Sequence, residues 1–209
     1  PNWALYDSKW DWRGFLDGYG ADAIAFDLPG FGTEPARLGW GIPEYAEWVK
    51  DKVGTDDAVL MGHSFGGRIA AYIASERPVW LTKLVLYGAP LLYRPSPMGR
   101  AKVMLAKALK PFVPESMREA ARASDSEGRY ETFKKVVSYD LGAHLPLIAV
   151  PTLLLLGEGA SEVPLAIAEE ARTLIPQASL VVLPHAGHNA HLESPELFYA
   201  TVQRFLKDS

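Results

Sequence analysis

Short apolar runs alternate with amphipathic segments along most of this chain. Five of the runs have the length of buried strands and end near turn-forming residues: 23–28, 58–62, 84–87, 152–156 and 180–183. Such continuous apolar character is typical of parallel strands that are covered on both faces. Helical periodicity lies between or after the runs, in 43–53, in the segment that ends near Pro78, and in 164–174 and 195–207. The pattern predicts an α/β fold, a mostly parallel sheet with helices on both faces.

Two stretches depart from this alternation. Residues 1–20 are rich in aromatic side chains and glycine, and Trp10, Trp12, Phe15 and Leu16 predict a short packed helix with no strand before it. Residues 91–148 have a mostly helical pattern and are predicted to form a lid on a core built from 1–90 and 149–209. The predicted lid follows the carboxyl end of a strand, where ligands collect in parallel sheets, so it is expected to exclude water from a site there.

Composition narrows the classes of partner. The chain has 209 residues, of which 48% are hydrophobic and 22% are charged, as expected for one globular domain with a sizeable core. A net charge of −4 disfavours nucleic acid and anionic membranes as partners. The absence of cysteine excludes disulfides and thiolate chemistry. With no apolar run of membrane-spanning length and no cationic start, a cytoplasmic location and a small neutral or apolar substrate are expected.

The segment 61–67, Met-Gly-His-Ser-Phe-Gly-Gly, joins a predicted strand to a predicted helix. Gly62, Ser64 and Gly66 fit the pattern Gly-x-Ser-x-Gly, in which a sharp strand-to-helix turn exposes the serine oxygen. The glycines are needed because a Cβ atom would collide where strand and helix cross. A turn with an incidental serine is one alternative, and a phosphate-binding loop is another, although the lysine and spacing of a P-loop are missing. The context favours Ser64 as a nucleophile.

A nucleophilic serine needs a neighbouring base. The chain offers five histidines: His63, His144, His185, His188 and His191. In sheets with this turn the base follows the last strand. His188 is predicted because the Ala186-Gly187 turn ahead of it permits a sharp loop that aims the imidazole back toward the strand ends. His63 is expected to pack or to line the substrate site, and His191 to pack against or cap the last helix.

These features together resemble the α/β-hydrolase superfamily, especially its small lid-bearing carboxylesterases such as those that release pimeloyl groups from carrier protein. The resemblance runs nearly end to end. It rests on four stretches: Asp-Leu-Pro-Gly-Phe-Gly at 27–32, the turn at 62–67, Val-Pro-Thr at 150–152, and Gly187-His188 with Glu-Ser-Pro-Glu at 193–196.

The acid that supports the histidine departs from the family pattern. Members usually carry Gly-x-x-Asp-x-x-x-Pro after the strand that Thr152 opens, whereas here Ala160 takes the place of the aspartate. Glu158, nearest the strand end and one methylene longer than aspartate, is predicted to replace it, with Glu162 as the alternative. Asp125 and Asp140, from the predicted lid, are remote candidates.

The N-terminus also departs from the pattern. Family members have two or three further strands there and a His-Gly turn that supplies an oxyanion donor. The chain is expected to lack those strands and to begin at that turn, with Pro1-Asn2 in its place. Alignment on Trp3 and Trp10 then makes the Trp3 N–H the first oxyanion donor and the Phe65 N–H the second. A shortened sheet, a dimeric sheet and a sheet completed by a partner all remain open.

The resemblance implies a serine hydrolase that cleaves carboxylic esters of small, largely apolar acyl groups through an acyl-enzyme intermediate. It implies a small-molecule ester as the partner and neither a metal nor an organic cofactor. Because one fold hosts many activities, a ligand-binding protein with little turnover, a C–C bond hydrolase and a perhydrolase are the alternatives.

Overall fold

The structure, a computed structural model, describes residues 2–6, 12, 23–53, 57–94 and 129–208. Within these ranges six strands form one parallel sheet in the order β2-β1-β3-β4-β5-β6. The strands are β1 (Asn2–Tyr6), β2 (Ala23–Phe26), β3 (Ala58–His63), β4 (Leu81–Tyr87), β5 (Thr152–Gly157) and β6 (Ala178–Leu183). The helices are α1 (Ile42–Val53), α2 (Ser64–Ser75), α3 (Arg129–Ser138), α4 (Leu165–Leu174), α5 (Ala190–Glu193) and α6 (Pro195–Lys207).

The sheet is covered on both faces, as the continuous apolar runs predict. Along β3, Ala58 and Leu60 pack into one buried cluster with α1 and α2. Val59 and Met61 point the other way into a second cluster with α6. All six residues of β3 are buried, so the turn that carries Ser64 starts from a fully enclosed strand.

One expectation for the N-terminal segment is wrong. Asn2–Tyr6 is a strand, not a strand-free stretch, and it lies between β2 and β3. Its last four residues, from Trp3 to Tyr6, pair with β2, and its first three pair with β3. Trp10, Phe15 and Leu16, which predicted a helix, lie outside the described residues.

The predicted lid is described only at its two ends. Within 91–148, the helix α3 and a 3₁₀ turn at Leu145–Leu147 agree with the helical pattern, whereas 95–128 lie outside the described residues. The boundaries of core and lid stay a prediction. None of the helices in the described ranges is both long and apolar enough to cross a bilayer.

Candidate active site

The turn between β3 and α2 holds Ser64 in a backbone conformation that residues other than glycine rarely adopt. Ser64 is the first residue of α2 and has a φ of 49°. A Cβ atom on Gly62 would lie 2.5 Å from the Gly66 carbonyl oxygen, and one on Gly67 would lie 2.5 Å from the Ala89 Cβ. Because the strand and helix approach so closely, only glycine fits at these two positions, and Ser64 sits at the carboxyl edge of the sheet.

A cavity of about 620 Å³ opens at this edge and brings the predicted nucleophile and base together. Ser64, His63 and His188 all line it, but no hydrogen bond joins the Ser64 and His188 side chains in the described part of the chain. Catalytic contacts of this kind often tighten only when substrate binds.

The walls of the cavity are mostly apolar. Phe31, Leu38, Phe65, Val136 and Val137 supply much of this surface. The Phe65 ring packs edge-on against Tyr45, with ring centres 4.9 Å apart, and lies 5.7 Å from Phe31. The cavity therefore suits an apolar group several carbons long.

His188 lies in the loop between β6 and α5, and Glu193 holds that loop through the residues on either side of His188. The Glu193 carboxylate accepts hydrogen bonds from the N–H groups of Gly187 and Asn189, the residues on either side of His188. The imidazole lies against Gly88, where a Cβ atom would come within 3.2 Å of His188 Nδ1 and Cε1. A side chain at residue 88, just after β4, would therefore need His188 to shift by a few tenths of an ångström.

The carbonyl group of His188 accepts hydrogen bonds from two side chains. Tyr87, the last residue of β4, donates its hydroxyl proton, and His63 Nε2 lies 3.0 Å away. The His63 and Tyr87 rings stack with centres 4.5 Å apart. His63 therefore both packs and lines the cavity, the two roles that sequence reasoning allowed, while its contact with the His188 main chain carried no sequence signal.

Two glutamates follow β5, and the structure separates their surroundings. Glu162 Oε2 lies 3.7 Å from His188 Nδ1, within ion-pair range but too far for a hydrogen bond. Glu158, the acid predicted from the sequence, instead accepts a hydrogen bond from the His185 N–H at 3.0 Å. Ala160 lies between them in a turn closed by its own N–H on the Gly157 carbonyl. Of the two carboxylates, Glu162 is the one beside the base.

The two predicted oxyanion donors lie in different places. Phe65 is in the first turn of α2, where backbone N–H groups have no partner within the helix. Trp3 instead pairs with Val59 inside the sheet, and Val59 is four residues before His63. That spacing puts Trp3 about 13 Å from the end of β3, at roughly 3.3 Å per residue. The structure thus contradicts Trp3 as a donor; the residues after Tyr6, at the carboxyl end of β1, lie outside the described ranges.

An aromatic cluster backs the site on the side of α6. Trp12 is fully buried and stacks on His191, with ring centres 4.2 Å apart and planes 10° from parallel. Burial lowers the pKa of His191 to about 3, and any charge on His63 or His188 would lower it further. His191 is therefore a neutral packing residue at physiological pH, as the sequence led us to expect.

Arg68 is a charged side chain buried beneath the cavity. Its guanidinium donates to the carbonyl oxygens of Pro90, Val136 and Tyr139. Burial lowers the pKa of Arg68 to about 10, although the nearby Asp140 raises it, so the group stays charged at neutral pH. Arg68 ties α2, the helix that begins at Ser64, to the chain on both sides of 95–128. Nothing in the sequence apart from its place after Gly67 marked this residue.

Comparison with known sequences now adds to this geometry. The sequence model of the "Alpha/beta hydrolase family" matches residues 4–201. The chain belongs to this family.

Two curated relatives and one solved structure illustrate the likeness. A pimeloyl-[acyl-carrier protein] methyl ester esterase of Aromatoleum aromaticum is 28% identical, over 81% of each chain. An sn-1-specific diacylglycerol lipase of Mus musculus is 27% identical over 74% of this chain, which spans only 61% of that relative. The enol-lactonase of Burkholderia xenovorans LB400 matches this whole chain and 92% of its own, with a TM-score of 0.77 at 21% identity, and supports the fold alone.

Proposed function

We propose that this hydrolase-family chain is a serine hydrolase that cleaves carboxylic esters of small, largely apolar acyl groups through an acyl-enzyme intermediate. The observation that carries the proposal is the shared cavity: Ser64, strained at the head of α2, and His188 line one largely apolar space of about 620 Å³. A strained serine beside a histidine suits nucleophilic acyl transfer.

In the proposed reaction Ser64 Oγ attacks the ester carbonyl while His188 Nε2 takes its proton. Nε2 is the available nitrogen because Nδ1 faces Gly88 and Glu162. The tetrahedral oxyanion accepts a hydrogen bond from the Phe65 N–H at the positive end of α2. His188 then protonates the leaving alcohol, and a water activated by the same imidazole releases the acid and restores Ser64.

Glu162 is the carboxylate we assign beside His188, in preference to Glu158. Its distance of 3.7 Å and its exposed position, with 51% of the side chain accessible, make it a weak support for a developing imidazolium. The aromatic and aliphatic walls around Phe65 would hold the apolar acyl or alcohol group.

The test is labelling with a fluorophosphonate probe followed by intact mass and peptide mapping, alongside p-nitrophenyl butyrate hydrolysis. We expect one adduct, on Ser64, and loss of both labelling and hydrolysis in Ser64→Ala. Ser75→Ala is the matched control, because Ser75 lies on the same helix and its hydroxyl contacts Tyr72 and His144 rather than the residues that line the cavity. Hydrolysis that survives Ser64→Ala at the wild-type rate would remove Ser64 from the mechanism.

A ligand-binding protein with little turnover is the second candidate. Ala160 at the usual acid position and the long Glu162 contact favour it. It predicts binding of small apolar esters without an acyl-enzyme burst, so a stoichiometric burst of p-nitrophenol excludes it.

A further inference from the structure

Three side chains hold the main chain around His188. Glu193 accepts hydrogen bonds from the N–H groups before and after the residue, and Tyr87 and His63 both donate to its carbonyl oxygen. The imidazole lies 4.7 Å, centre to centre, from the His63 ring, and its Nδ1 is 3.7 Å from the Glu162 carboxylate, beyond hydrogen-bond distance.

Both side chains that contact the carbonyl oxygen can donate a hydrogen bond to it. Burial raises the pKa of Tyr87, so its hydroxyl remains a donor across the physiological range. For His63 to donate through Nε2, that nitrogen must carry the proton, which fixes its tautomer. The stacked rings of His63 and Tyr87 sit at the adjacent ends of β3 and β4, which are paired at these two residues.

This arrangement links His188 to the buried centre of the sheet. β3 is buried throughout and β4 is buried from Leu84 to Tyr87, and each strand contributes its last residue to the contact. Gly88, the next residue, lets the imidazole pack against the backbone without an intervening side chain. The hydrogen bonds to the carbonyl oxygen, which we call the main-chain anchor, fix the position of the His188 backbone. The packing against Gly88 limits the rotation of the imidazole about its side-chain bonds.

Given the proposed hydrolase function, on which this inference rests, we propose that Tyr87 and His63 are positioning residues that orient the base by its main-chain carbonyl. They supply more of that orientation than Glu162, whose exposed carboxylate lies beyond hydrogen-bond distance of the imidazole.

The first test compares Tyr87→Phe with Glu162→Gln. Tyr87→Phe keeps the ring stack and removes only the hydroxyl. We expect kcat to fall about 10-fold, the upper range for one lost hydrogen bond, with KM within about twofold of wild type. Glu162→Gln should lower kcat by less, far from the roughly 10⁴-fold loss seen when the acid of a complete triad is neutralised.

The pH profile and a control variant separate positioning from a merely structural role. Tyr87→Phe should lower the plateau of the pH profile of kcat/KM without moving its acidic limb, since the charge near His188 is unchanged. Tyr139→Phe is the matched control, because it removes a tyrosine hydroxyl contact to His144 away from the cavity and should leave kcat unchanged.

If Tyr87→Phe does not fold, the His63 pair carries the test. His63→Gln keeps an amide donor near the position of Nε2 and should retain most activity, whereas His63→Leu should lose about 10-fold. The proposal is overturned if Tyr87→Phe, or His63→Leu in its place, stays within twofold of wild type while Glu162→Gln loses 100-fold or more.

Failure of the proposed function has a different signature. If wild type shows no Ser64-dependent turnover, the effect of the main-chain anchor on the ring can still be measured from the imidazole ¹⁵N resonances of His188. These resonances are assigned with His188→Gln. Tyr87→Phe should shift or broaden them and Tyr139→Phe should not. Unchanged His188 resonances in Tyr87→Phe would contradict the proposal that Tyr87 orients the imidazole.

Discussion

The two sides of His188 are built differently. On the side of β4, Tyr87, Gly88 and His63 are all buried and in contact with the histidine. On the side of β5, Glu158 and Glu162 are both exposed, and neither forms a hydrogen bond with the imidazole. The difference teaches that two sides of one histidine can be constrained by different means, with main-chain hydrogen bonds on one side and a distant carboxylate on the other.

The largest expected effect comes from the β4 side, in Gly88→Ala. The new methyl would lie 3.2 Å from His188 Nδ1 and Cε1, tighter than an ordinary contact, and would push the ring away. Relief of the contact needs a shift of a few tenths of an ångström, so we expect kcat to fall about 10-fold, less than the roughly 100-fold cost of a 1 Å displacement at a reacting group. The measurement is steady-state hydrolysis of a p-nitrophenyl ester.

Gly39→Ala is the control for this variant. Gly39 has a φ of 77°, and a methyl group there meets nothing within 4 Å. Both alanines carry the roughly 1–2 kcal/mol cost of a left-handed backbone. Both variants should therefore lose similar stability, and only Gly88→Ala should lose kcat. Equal activities would show that the β4 side does not position the base.

A smaller effect concerns pH and His191, which packs against the rings of the β4 side. The ordinary histidine pKa of 6.5 falls to about 3 in the folded protein, so below pH 6.5 the unfolded chain binds a proton that the folded chain does not. Stability is full above pH 6.5 and declines as pH falls toward 3, by roughly 2 kcal/mol between pH 6.5 and 5.

His191→Phe should flatten that slope, because phenylalanine keeps the stack on Trp12 and does not titrate. Urea unfolding at pH 7.5, 6.5, 5.5 and 5.0 measures it. A slope identical to that of wild type would mean that other groups produce the pH dependence.

The smallest effect belongs to the β5 side, in Glu158→Gln. The Glu158 carboxylate accepts a hydrogen bond from the His185 N–H, and the amide oxygen of glutamine can still accept that hydrogen bond. We expect activity within twofold of wild type and a stability loss below about 1 kcal/mol, measured by thermal unfolding and ester hydrolysis. A larger loss of kcat than in Glu162→Gln would reverse our assignment of the two glutamates.

The parallel sheet and most of its helices were readable from the sequence because buried strands and amphipathic helices have distinct periods. β1 was not, since its five residues mix an asparagine, a tryptophan and a tyrosine and are followed by an aromatic, glycine-containing stretch. The same omission led to the prediction of Trp3 as an oxyanion donor, because the comparison with the family pattern placed a turn at Pro1-Asn2, where the structure has the start of β1.

At the site, motif and chain order were enough to choose Ser64 and His188, which line one cavity. The choice between Glu158 and Glu162 needed the shape of the turn after β5. Glu158 N–H bonds to the Leu183 carbonyl, which extends the pairing with β6 and turns that residue toward His185. The carbonyl contacts of His63 and Tyr87 likewise depend on two strands being in register, which the sequence of either strand does not reveal.

Arg68 has a consequence for how this chain tolerates change. By binding the carbonyls of Pro90 and Val136, it fixes the chain to α2 at two points, one on each side of 95–128. In proteins generally, the entropic cost of bringing two points of a chain together grows only with the logarithm of the length between them, by about 0.6 kcal/mol for each doubling. A fold held at two such points can therefore accept connections of very different length and sequence between them while Ser64 stays where it is, so new substrate preferences can arise there without rebuilding the core.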